Sequence, residues 1–583
     1  MKKLHELQTL LHKLNIDAFI FSTTDEYMSE YVPEAAKRLE YLTEFTGSLA
    51  LCIVGKKTSA IFVDGRYTLQ AKQQVDNTLF TIKSFTIADI EDWLAVNLAT
   101  NNKIILPEKV TSINFYNQIN EICIKYKFQI GTIDYHLVDE IWQDKPIILY
   151  NKIVKHNFAS KSYVEKLDSI AKDLQKEQLD WFLCTDLSSI AWLLNLRGND
   201  IEYNPFFLSV ALINRKGICK VFLDSTKLSQ EIQNEMKDKV EFLPLSSIDS
   251  YINKLFSVNT PLLVGLPIST PYYYLNFLKG KQVKVVIVSN ICEKKKAIKD
   301  SSDIKHILNA HARDGAYLVK LFAKIYEDPN KYSELNIDEA MEVIKKEDPL
   351  YCGCSFASII GVSEHGAIVH YKATSKTNKD LSDDDYLLID CGAQYQDGTT
   401  DITRTLSFKK VSRDFKKHYT LVLKGHISLA NAIFPKNTKA SYIDVLARHN
   451  LWQEGLDYAH GTGHGVGMFL GVHDGGVSLS ANSNMLLKQG MVLSIEPGVY
   501  FTGKYGIRLE NLYTIVQSNH KDFLCFQVLS MLPFDVKNID FSLLTTAETN
   551  WLNNYHRLVL SSLQPYLDSK HYTWLNNYLK GVV

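Results

Sequence analysis

Four carboxylates and one histidine in the last third of the chain are the side chains that could do chemistry together. Ionised carboxylates that share a pocket repel each other and resist desolvation, so a folded protein tolerates them mainly around cations. Two divalent ions would neutralise four such charges, and oxygen-rich ligands suit a hard cation such as Mn²⁺. Two cations that share carboxylates can ionise a water at neutral pH. The sequence therefore predicts a dinuclear metallohydrolase with the candidate ligands Asp390, Asp401, His464, Glu496 and Glu510.

The first two candidate ligands lie in segments that have strand patterns. Residues 385–390, DYLLID, end on Asp390, and residues 401–406, DITRTL, begin with Asp401. Between them, Asp397-Gly398 is a turn signal. A tight turn on that pair would leave the two aspartates about 13 Å apart along the ladder, whereas a turn on residues 395–396 would place them opposite each other. We therefore expect a bulge or a longer loop here, and the path of the connection stays open.

The other candidate ligands also have informative neighbours. The segment HGTGHGVG, residues 460–467, places two histidines among glycines, which permit close backbone approach. Glu496 precedes Pro497-Gly498, and proline ends a strand because it cannot donate to the ladder. Arg508 and Glu510 are two residues apart on a predicted strand, so both should face the same way. Arg508 could then orient a metal-binding carboxylate.

The whole chain has the composition of an ordinary globular protein of several domains. It has 583 residues, of which 46% are apolar and 22% charged, and its net charge is −1. This balance gives no electrostatic footprint for nucleic acid. The amino terminus lacks the apolar core of a signal peptide, and no uncharged apolar stretch of about 18 residues follows. We expect a cytoplasmic protein without a membrane segment, and we assign no disulfide to the nine cysteines.

The first 300 residues contain one pattern twice. Strand-like segments DAFIF and SAIFV, at residues 17–21 and 59–63, have counterparts DWFLC and CKVFL roughly 150 to 165 residues further on. Helical patterns alternate with these strands, which predicts α/β domains. The predicted organisation is an α/β (α+β) chain with two related amino-terminal domains and a catalytic domain, spanning residues 1–155, 156–298 and 299–583.

The catalytic region has three further features. A long helical pattern opens it, and Asp300 or Ser301 could cap that helix. The charge run 293–296, EKKK, reads as a solvated junction. A helical tail from about residue 540 repeats the pentapeptide WLNNY at 551–555 and 574–578. Its aromatic residues either pack on the core or form a dimer contact, and we leave these two readings open.

Five blocks occur in order in the catalytic region: GAIVHY, DCGAQYQDGTTDITRT, LDYAHGTGHGVG, SIEPGVY and YGIRLEN. They resemble the pita-bread metallopeptidase family, in particular its aminopeptidase P (Xaa-Pro aminopeptidase) branch. The likeness extends to WLLNLRGNDIEYNP in the second domain and WLNNYH in the tail, so it covers nearly the whole chain.

The resemblance implies a role for each matching residue. The five candidate ligands match the family's dinuclear metal ligands, with Asp401 and Glu510 as the bridging carboxylates. His370 and His473 match histidines that position substrate and stabilise the reacting carbonyl, and His460 matches a histidine of the proline-side pocket. Substrate-side or supporting residues are Tyr500, Arg508 and Arg197, the last of which either reaches the active site or forms a domain-interface salt bridge.

The implied reaction is hydrolysis of the amino-terminal Xaa-Pro bond of peptides by a bridging hydroxide, with Glu496 moving the proton. The implied cofactors are two divalent ions, most simply Mn²⁺, and a homodimer is expected. The nearest alternative is a prolidase, which accepts only dipeptides. A methionine aminopeptidase would not need two preceding domains. A catalytically inactive peptide-binding module on this fold would lack ligands that are all present here.

Overall fold

The computed structural model describes residues 2–147, 151–256, 262–279, 281, 283–409 and 411–580. Helices and strands alternate throughout these ranges, so the predicted α/β class is confirmed. The chain divides into two compact units. The first contains the residues up to His156 and Lys161–Cys292, and the second contains Asn157–Ser160 and the residues from Glu293 onward. Within the described ranges, no helix combines the length and the apolar character needed to cross a membrane.

The first sheet of the first unit is six-stranded, and its strands lie side by side in the order 4-3-2-1-5-6 of their chain positions. The strands are Ala18–Ser22, Ala50–Gly55, Ser59–Val63, Thr81–Ser84, Lys103–Pro107 and Gln129–Ile133. The helices that accompany it are Lys2–Lys13, Arg38–Thr43, Thr68–Gln74, Ile87–Asn97 and Ile113–Tyr126.

The second sheet of this unit repeats the first. Its six strands lie in the same relative order, and each neighbouring pair has the same parallel or antiparallel sense as its counterpart. The predicted duplication is therefore confirmed by topology. The strands are Trp181–Cys184, Ser209–Asn214, Cys219–Leu223, Val240–Pro244, Leu262–Pro267 and Val283–Val288. The helices are Tyr163–Lys176, Leu187–Leu194, Gln230–Met236, Ile248–Leu255 and Tyr272–Leu278, and the short strands Val154–Lys155 and Leu196–Arg197 pair separately. The helix Ile291–Lys296 begins in this unit and ends in the second.

The second unit is built around a long helix, Ser301–Glu327. As predicted, Asp300 caps it, because its carboxylate accepts hydrogen bonds from the backbone N–H groups of Ser302 and Asp303. Buried residues of this helix pack against strands that carry the predicted site. The other helices of the unit are Glu334–Lys345, Arg413–Ala430, Ala440–Trp452, Thr546–Leu563 and Ser569–Tyr578.

The strands of the second unit are short and form several small sheets. Three-stranded sheets are Tyr351–Cys354 with Ala393–Tyr395 and Gly398–Thr399, and Ile359–Val362 with Tyr386–Cys391 and Ile402–Ser407. A four-stranded sheet contains Ile433–Pro435, Phe523–Val528, Asn511–Gln517 and Val492–Ile495. Two-stranded pairs are Gly463–His464 with Ser478–Leu479 and Gly498–Phe501 with Tyr505–Arg508.

The connection between Asp390 and Asp401 is a tight hairpin, so the expected bulge or longer loop is wrong. Tyr395 pairs with Gly398, which leaves a two-residue turn, Gln396-Asp397, one position before the predicted pair. In the same register Asp390 lies opposite Thr403. Asp401 is therefore offset from Asp390 by two residues, or about 7 Å along the ladder, which is half the separation expected for a turn at 397–398.

A distant arginine explains the position of this turn. Arg313, on the long helix, donates two hydrogen bonds to the Asp397 carboxylate, at 3.0 and 2.7 Å. The paired geometry of a guanidinium and a carboxylate holds Asp397 as the second residue of the turn, where the sequence pattern predicted it as the first.

The junction before the long helix also differs from its prediction. Lys294 is exposed, as expected, but Lys296 is buried and forms an ion pair with Asp474. The prediction of a solvated charge run is therefore wrong for Lys296.

The tail packs on the core of the second unit. Trp551 and Tyr555 stack on each other, as do Trp574 and Tyr578, and all four lie in or against the main hydrophobic cluster. Packing on the core, one of the two roles left open for WLNNY, is thus present.

Candidate metal centre

Three of the predicted ligands converge on one point. Each of Asp401, His464 and Glu510 offers a ligand atom, and these atoms lie within 4.8 Å of one another. The Nε2 atom of His464 lies 3.4 Å from Oδ2 of Asp401 and 3.5 Å from Oε1 of Glu496, so Glu496 joins the same cluster. At these distances a cation fits between the imidazole nitrogen of His464 and the two carboxylate oxygens.

Strand ends deliver these side chains. Asp401 precedes the strand Ile402–Ser407, and Glu496 follows the strand Val492–Ile495 directly. Glu510 lies between the strands Tyr505–Arg508 and Asn511–Gln517, so the prediction of one strand through Arg508 and Glu510 is wrong. A break there lets the backbone N–H of Glu510 donate to the carbonyl oxygen of Thr403, at 3.1 Å.

The tautomer of His464 follows from its contacts. Its Nδ1 lies 3.1 Å from the carbonyl oxygen of Gly465, which can only accept, so Nδ1 carries the proton. When the ring is neutral, as a metal ligand must be, its Nε2 presents a lone pair to the cluster. A Cβ atom on Gly463 would lie 1.9 Å from the carbonyl oxygen of Ser494, so only glycine lets the histidine approach this strand.

Two hydroxyl groups that the sequence reasoning missed orient the ligands. Ser494 accepts a hydrogen bond from the backbone N–H of His464 at 2.9 Å and donates to Oε1 of Glu496 at 3.3 Å. Thr403 donates from Oγ1 to Oε2 of Glu510 at 2.8 Å. Each hydroxyl lies two residues from a predicted ligand along the chain, so strand alternation was the signal that could have found them.

The remaining oxygens of two carboxylates fit a cation. Arg508 donates from Nη2 and Nε to Oδ2 of Asp390, at 2.6 and 3.2 Å. Oδ1 of Asp390 and Oε1 of Glu510 are buried and have no hydrogen-bond partner among the described residues. A buried carboxylate oxygen without a donor is costly unless a cation binds it, so the donor set matches hard divalent ions.

The electrostatics of the metal-free cluster support the same reading. Burial raises the pKa of Asp390 to about 6, even though Arg508 works in the opposite direction. Burial and the charges of Asp401 and Glu496 hold the pKa of Glu510 well above its usual range. Burial disfavours the imidazolium of His464, but Asp401 and Glu496 outweigh it and raise its pKa to about 9. The cluster thus favours positive charge at its centre.

A chain of hydrogen bonds connects His460 to this cluster. Burial lowers the pKa of His460 to about 4, so the ring is neutral at pH 7. Its Nδ1 faces the carbonyl oxygen of Gly461 at 2.7 Å and must donate, which leaves Nε2 to accept from the Tyr500 hydroxyl at 2.8 Å. Tyr500 accepts from Nη1 of Arg508 at 2.9 Å, and Arg508 in turn holds Asp390. The predicted residues His460, Tyr500 and Arg508 therefore form one connected unit.

Three predicted residues have a less direct placement. The ring of His473 is exposed and lies edge-on to that of His464, with centroids 4.4 Å apart. His370 is half-buried just after the 3₁₀ turn Ser363–Ala367. Arg197 belongs to the first unit, where it is buried and donates to the carbonyl oxygens of Ala191 and Leu196. The roles of all three in substrate binding stay predictions.

A carboxylate and imidazole cluster at the ends of small sheets defines this unit as a metallohydrolase domain. The protein families that the sequence matches agree with this class. Metallopeptidase family M24 matches residues 305–517, and its C-terminal region matches residues 522–581. The Creatinase/Prolidase N-terminal domain matches residues 3–132 and, in a second form, 144–303.

The relatives extend over the whole chain. A probable Xaa-Pro aminopeptidase P from Paracoccidioides brasiliensis is 35% identical over 99% of this chain and 98% of its own length. The solved structure of X-prolyl aminopeptidase from Caenorhabditis elegans, described as a cytosolic enzyme with a di-nuclear active site, superimposes with a TM-score of 0.95 at 30% identity, covering 99% of both chains. An Xaa-Pro dipeptidase from Bacillus anthracis, at 24% identity and a TM-score of 0.53, shares the fold over 64% of this chain. The chain belongs to metallopeptidase family M24, with its pita-bread catalytic fold.

Proposed function

We propose that this metallopeptidase is an Xaa-Pro aminopeptidase, which hydrolyses the amino-terminal peptide bond before proline. The observation that carries the proposal is the likeness to Xaa-Pro aminopeptidases over both amino-terminal domains, the catalytic domain and the tail. A dipeptidase structure matches a smaller part of the chain, so the prolidase alternative is less favoured.

We further propose that two divalent cations, most simply Mn²⁺, bind the carboxylate cluster. Asp401 and Glu510 would bridge them, and Asp390, His464 and Glu496 would complete their coordination. The unpartnered oxygens of Asp390 and Glu510 support this assignment. When bound, the cations would supply Lewis acidity and an ionised water at neutral pH.

The chain's own residues have separate tasks in the proposed reaction. Burial raises the pKa of Glu496, but the positive charges of His464 and Arg508 lower it below its usual value, so Glu496 is ionised and ready to accept a proton. It would then deliver that proton to the departing imino nitrogen of proline. His370 or His473 would donate to the developing oxyanion or to the adjacent carbonyl. His460, which burial holds neutral, would line the pocket for the proline ring.

The remaining predictions are proposals of the same kind. They comprise a substrate contact or interface ion pair for Arg197, domain limits at residues 155 and 298, a homodimer and a cytoplasmic location. Size-exclusion chromatography with light scattering would test the homodimer, and limited proteolysis would test the domain limits.

The central experiment is a peptide-cleavage panel on metal-stripped protein resupplied with Mn²⁺, Co²⁺ or Zn²⁺ one at a time. We expect cleavage of Xaa-Pro-Yaa peptides with a divalent ion and none without. Asp401→Ala should abolish metal-dependent turnover, while Asp384→Ala, at an exposed position, should retain it. Full activity of Asp401→Ala would contradict the proposal. Turnover of Xaa-Pro dipeptides alone would favour a prolidase, and absence of both bound metal and turnover would favour an inactive peptide-binding module.

A further inference from the structure

A buried ion pair lies beneath the loop that carries His473. The ammonium of Lys296 and the carboxylate of Asp474, the residue after His473, pair with each other, and both side chains are 1% exposed. Desolvating two charges offsets most of the attraction between them, so such a pair contributes little net stability compared with packed apolar residues. Its effect is greater on geometry, because the pair ties the segment around Lys296 to the residue that follows His473.

The segment around Lys296 makes a second contact of this kind. Lys299 is buried and donates from Nζ to the carbonyl oxygen of Val466, at 2.8 Å, two residues after His464. Its backbone N–H donates to the carbonyl oxygen of Gly490, also at 2.8 Å. Residues 293–299 therefore hold the two loops that carry His464 and His473.

Two glycines of the loop lie close to this segment. A Cβ atom on Gly475 would lie 2.0 Å from Oε1 of Glu293, and one on Gly476 would lie 2.8 Å from the Cβ of Ala297. Gly476 also has a φ of +94°, which favours glycine. The backbone N–H of Asp474 donates to the carbonyl oxygen of Gly465 at 2.8 Å. The His473 loop thus contacts residues 293–299 through the carboxylate of Asp474 and the backbone of Gly475 and Gly476.

We propose that Lys296 is a positioning residue for His473: by binding Asp474 it fixes the backbone that presents the imidazole to the substrate carbonyl. This inference rests on the proposed function, since it takes the substrate role of His473 from there. The centroids of the His473 and His464 rings are 4.4 Å apart. A small displacement of the loop therefore moves the His473 imidazole relative to the metal ligands. A misplacement of about 1 Å in a reacting group can lower a rate about 100-fold.

The test is Lys296→Met, which keeps the length of the side chain and removes its charge. We expect kcat for an Xaa-Pro-Yaa peptide to fall about 10- to 100-fold with KM changed less than about twofold and bound metal unchanged. Lys296→Arg should restore most of kcat. Lys294→Met, at an exposed position of the same segment, is the matched control and should behave as wild type.

A double variant separates positioning from charge balance and covers the case in which Lys296→Met folds poorly. Lys296→Met with Asp474→Leu removes both buried charges, so its thermal midpoint should recover while kcat stays low. Recovery of kcat together with stability would overturn the proposal, as would a wild-type kcat in Lys296→Met. If His473→Ala leaves kcat unchanged, positioning of His473 is wrong, whereas Xaa-Pro aminopeptidase activity of the wild type is judged separately by the peptide panel.

Discussion

Two buried arginines, Arg508 and Arg404, make different contacts on the two faces of the strand Ile402–Ser407. One face carries Thr403, which binds Glu510, and Thr405, whose hydroxyl donates to the carbonyl oxygen of Arg508 at 3.1 Å. Arg508, 1% exposed, binds the carboxylate of Asp390 on this ligand face. The opposite, back face carries Arg404, which is equally buried.

Arg404 makes a different set of bonds from Arg508. It donates to the carbonyl oxygens of Pro533, Leu532 and Glu510, at 2.8, 2.6 and 2.5 Å, and to Oδ1 of Asn511 at 2.7 Å. Among the described residues every oxygen that it contacts is uncharged. A guanidinium has five donors in a rigid fork, so it can join several backbone segments at once. On the ligand face an arginine binds a charged carboxylate, whereas on the back face an arginine holds backbone segments together.

The two tyrosines of the repeated WLNNY segment complete the back face. Tyr555 donates to the carbonyl oxygen of Leu532 at 2.7 Å and accepts from Nη2 of Arg404 at 3.1 Å. Tyr578 contacts the Tyr326 hydroxyl at 3.2 Å, and Tyr326 donates to the buried carboxylate of Asp535. That carboxylate accepts from the backbone N–H of Ser407 at 3.0 Å. Each repeat therefore supports a different part of the same strand.

The largest effect should come from the ligand face. In Glu510→Gln, kcat/KM should fall by about 1,000-fold, because losing even a supporting partner of a metal ligand costs about 10- to 100-fold. The metal-stripped variant should be as stable as wild type or more so, since a buried like charge is removed. Peptide kinetics and thermal denaturation with and without Mn²⁺ measure both. Glu339→Gln, at an exposed glutamate, is the control, and a loss of stability without loss of activity would reverse the assignment of this face.

Arg404→Met should have the opposite signature. Several carbonyl groups and an amide lose their donor inside the protein, so the free energy of unfolding should fall by about 3 kcal/mol or more. The loss should be the same in metal-stripped and metal-loaded protein. Chemical denaturation under both conditions measures it. A variant of normal stability with impaired metal binding would show that the back face is not a separate structural support.

Arg508→Met sharpens the contrast on the ligand face. The Asp390 carboxylate loses the two hydrogen bonds that Arg508 donates to it, so its affinity for a divalent cation should fall by about 10- to 100-fold. The loss of stability should be smaller than for Arg404→Met, because fewer backbone groups are left unpaired. Calorimetric titration of metal-stripped protein with Mn²⁺ gives the affinity. Equal losses of stability in the two arginine variants would make the two faces equivalent.

The smallest effect should come from the tail. Tyr555→Phe removes one hydroxyl and should lower the free energy of unfolding by about 1 kcal/mol, with kcat unchanged. Tyr442→Phe removes the hydroxyl of a tyrosine that is 68% exposed and should change nothing. Denaturant unfolding compares the two. A large drop in kcat for Tyr555→Phe at normal stability would place the tail in the reaction instead of in the scaffold.

The sequence predicted features that depend on local pattern. Period and composition located the strands around Asp390 and Asp401 and the repeated sheets of the first unit. Ligand identity followed from residue type and from the family resemblance. The hairpin turn was missed by one residue because Asp397 is held by Arg313, far along the chain. Residues 293–296 read as solvated because the partner of Lys296 lies 178 residues away. Interactions between distant segments have no local signal, so the support of the site had to come from the structure.

Tyr555 and Tyr578 lie later in the chain than all five candidate ligands, so the order of synthesis decides when the support of the site is complete. Domains of a nascent chain generally fold in order from the amino terminus. The strand that follows Asp401, however, acquires the last of these supporting contacts only once Tyr578 has left the ribosome. The five candidate ligands thus emerge well before their scaffold is finished. We therefore expect a ribosome-bound chain that ends before the second WLNNY segment to carry the five ligands without the complete support of their scaffold.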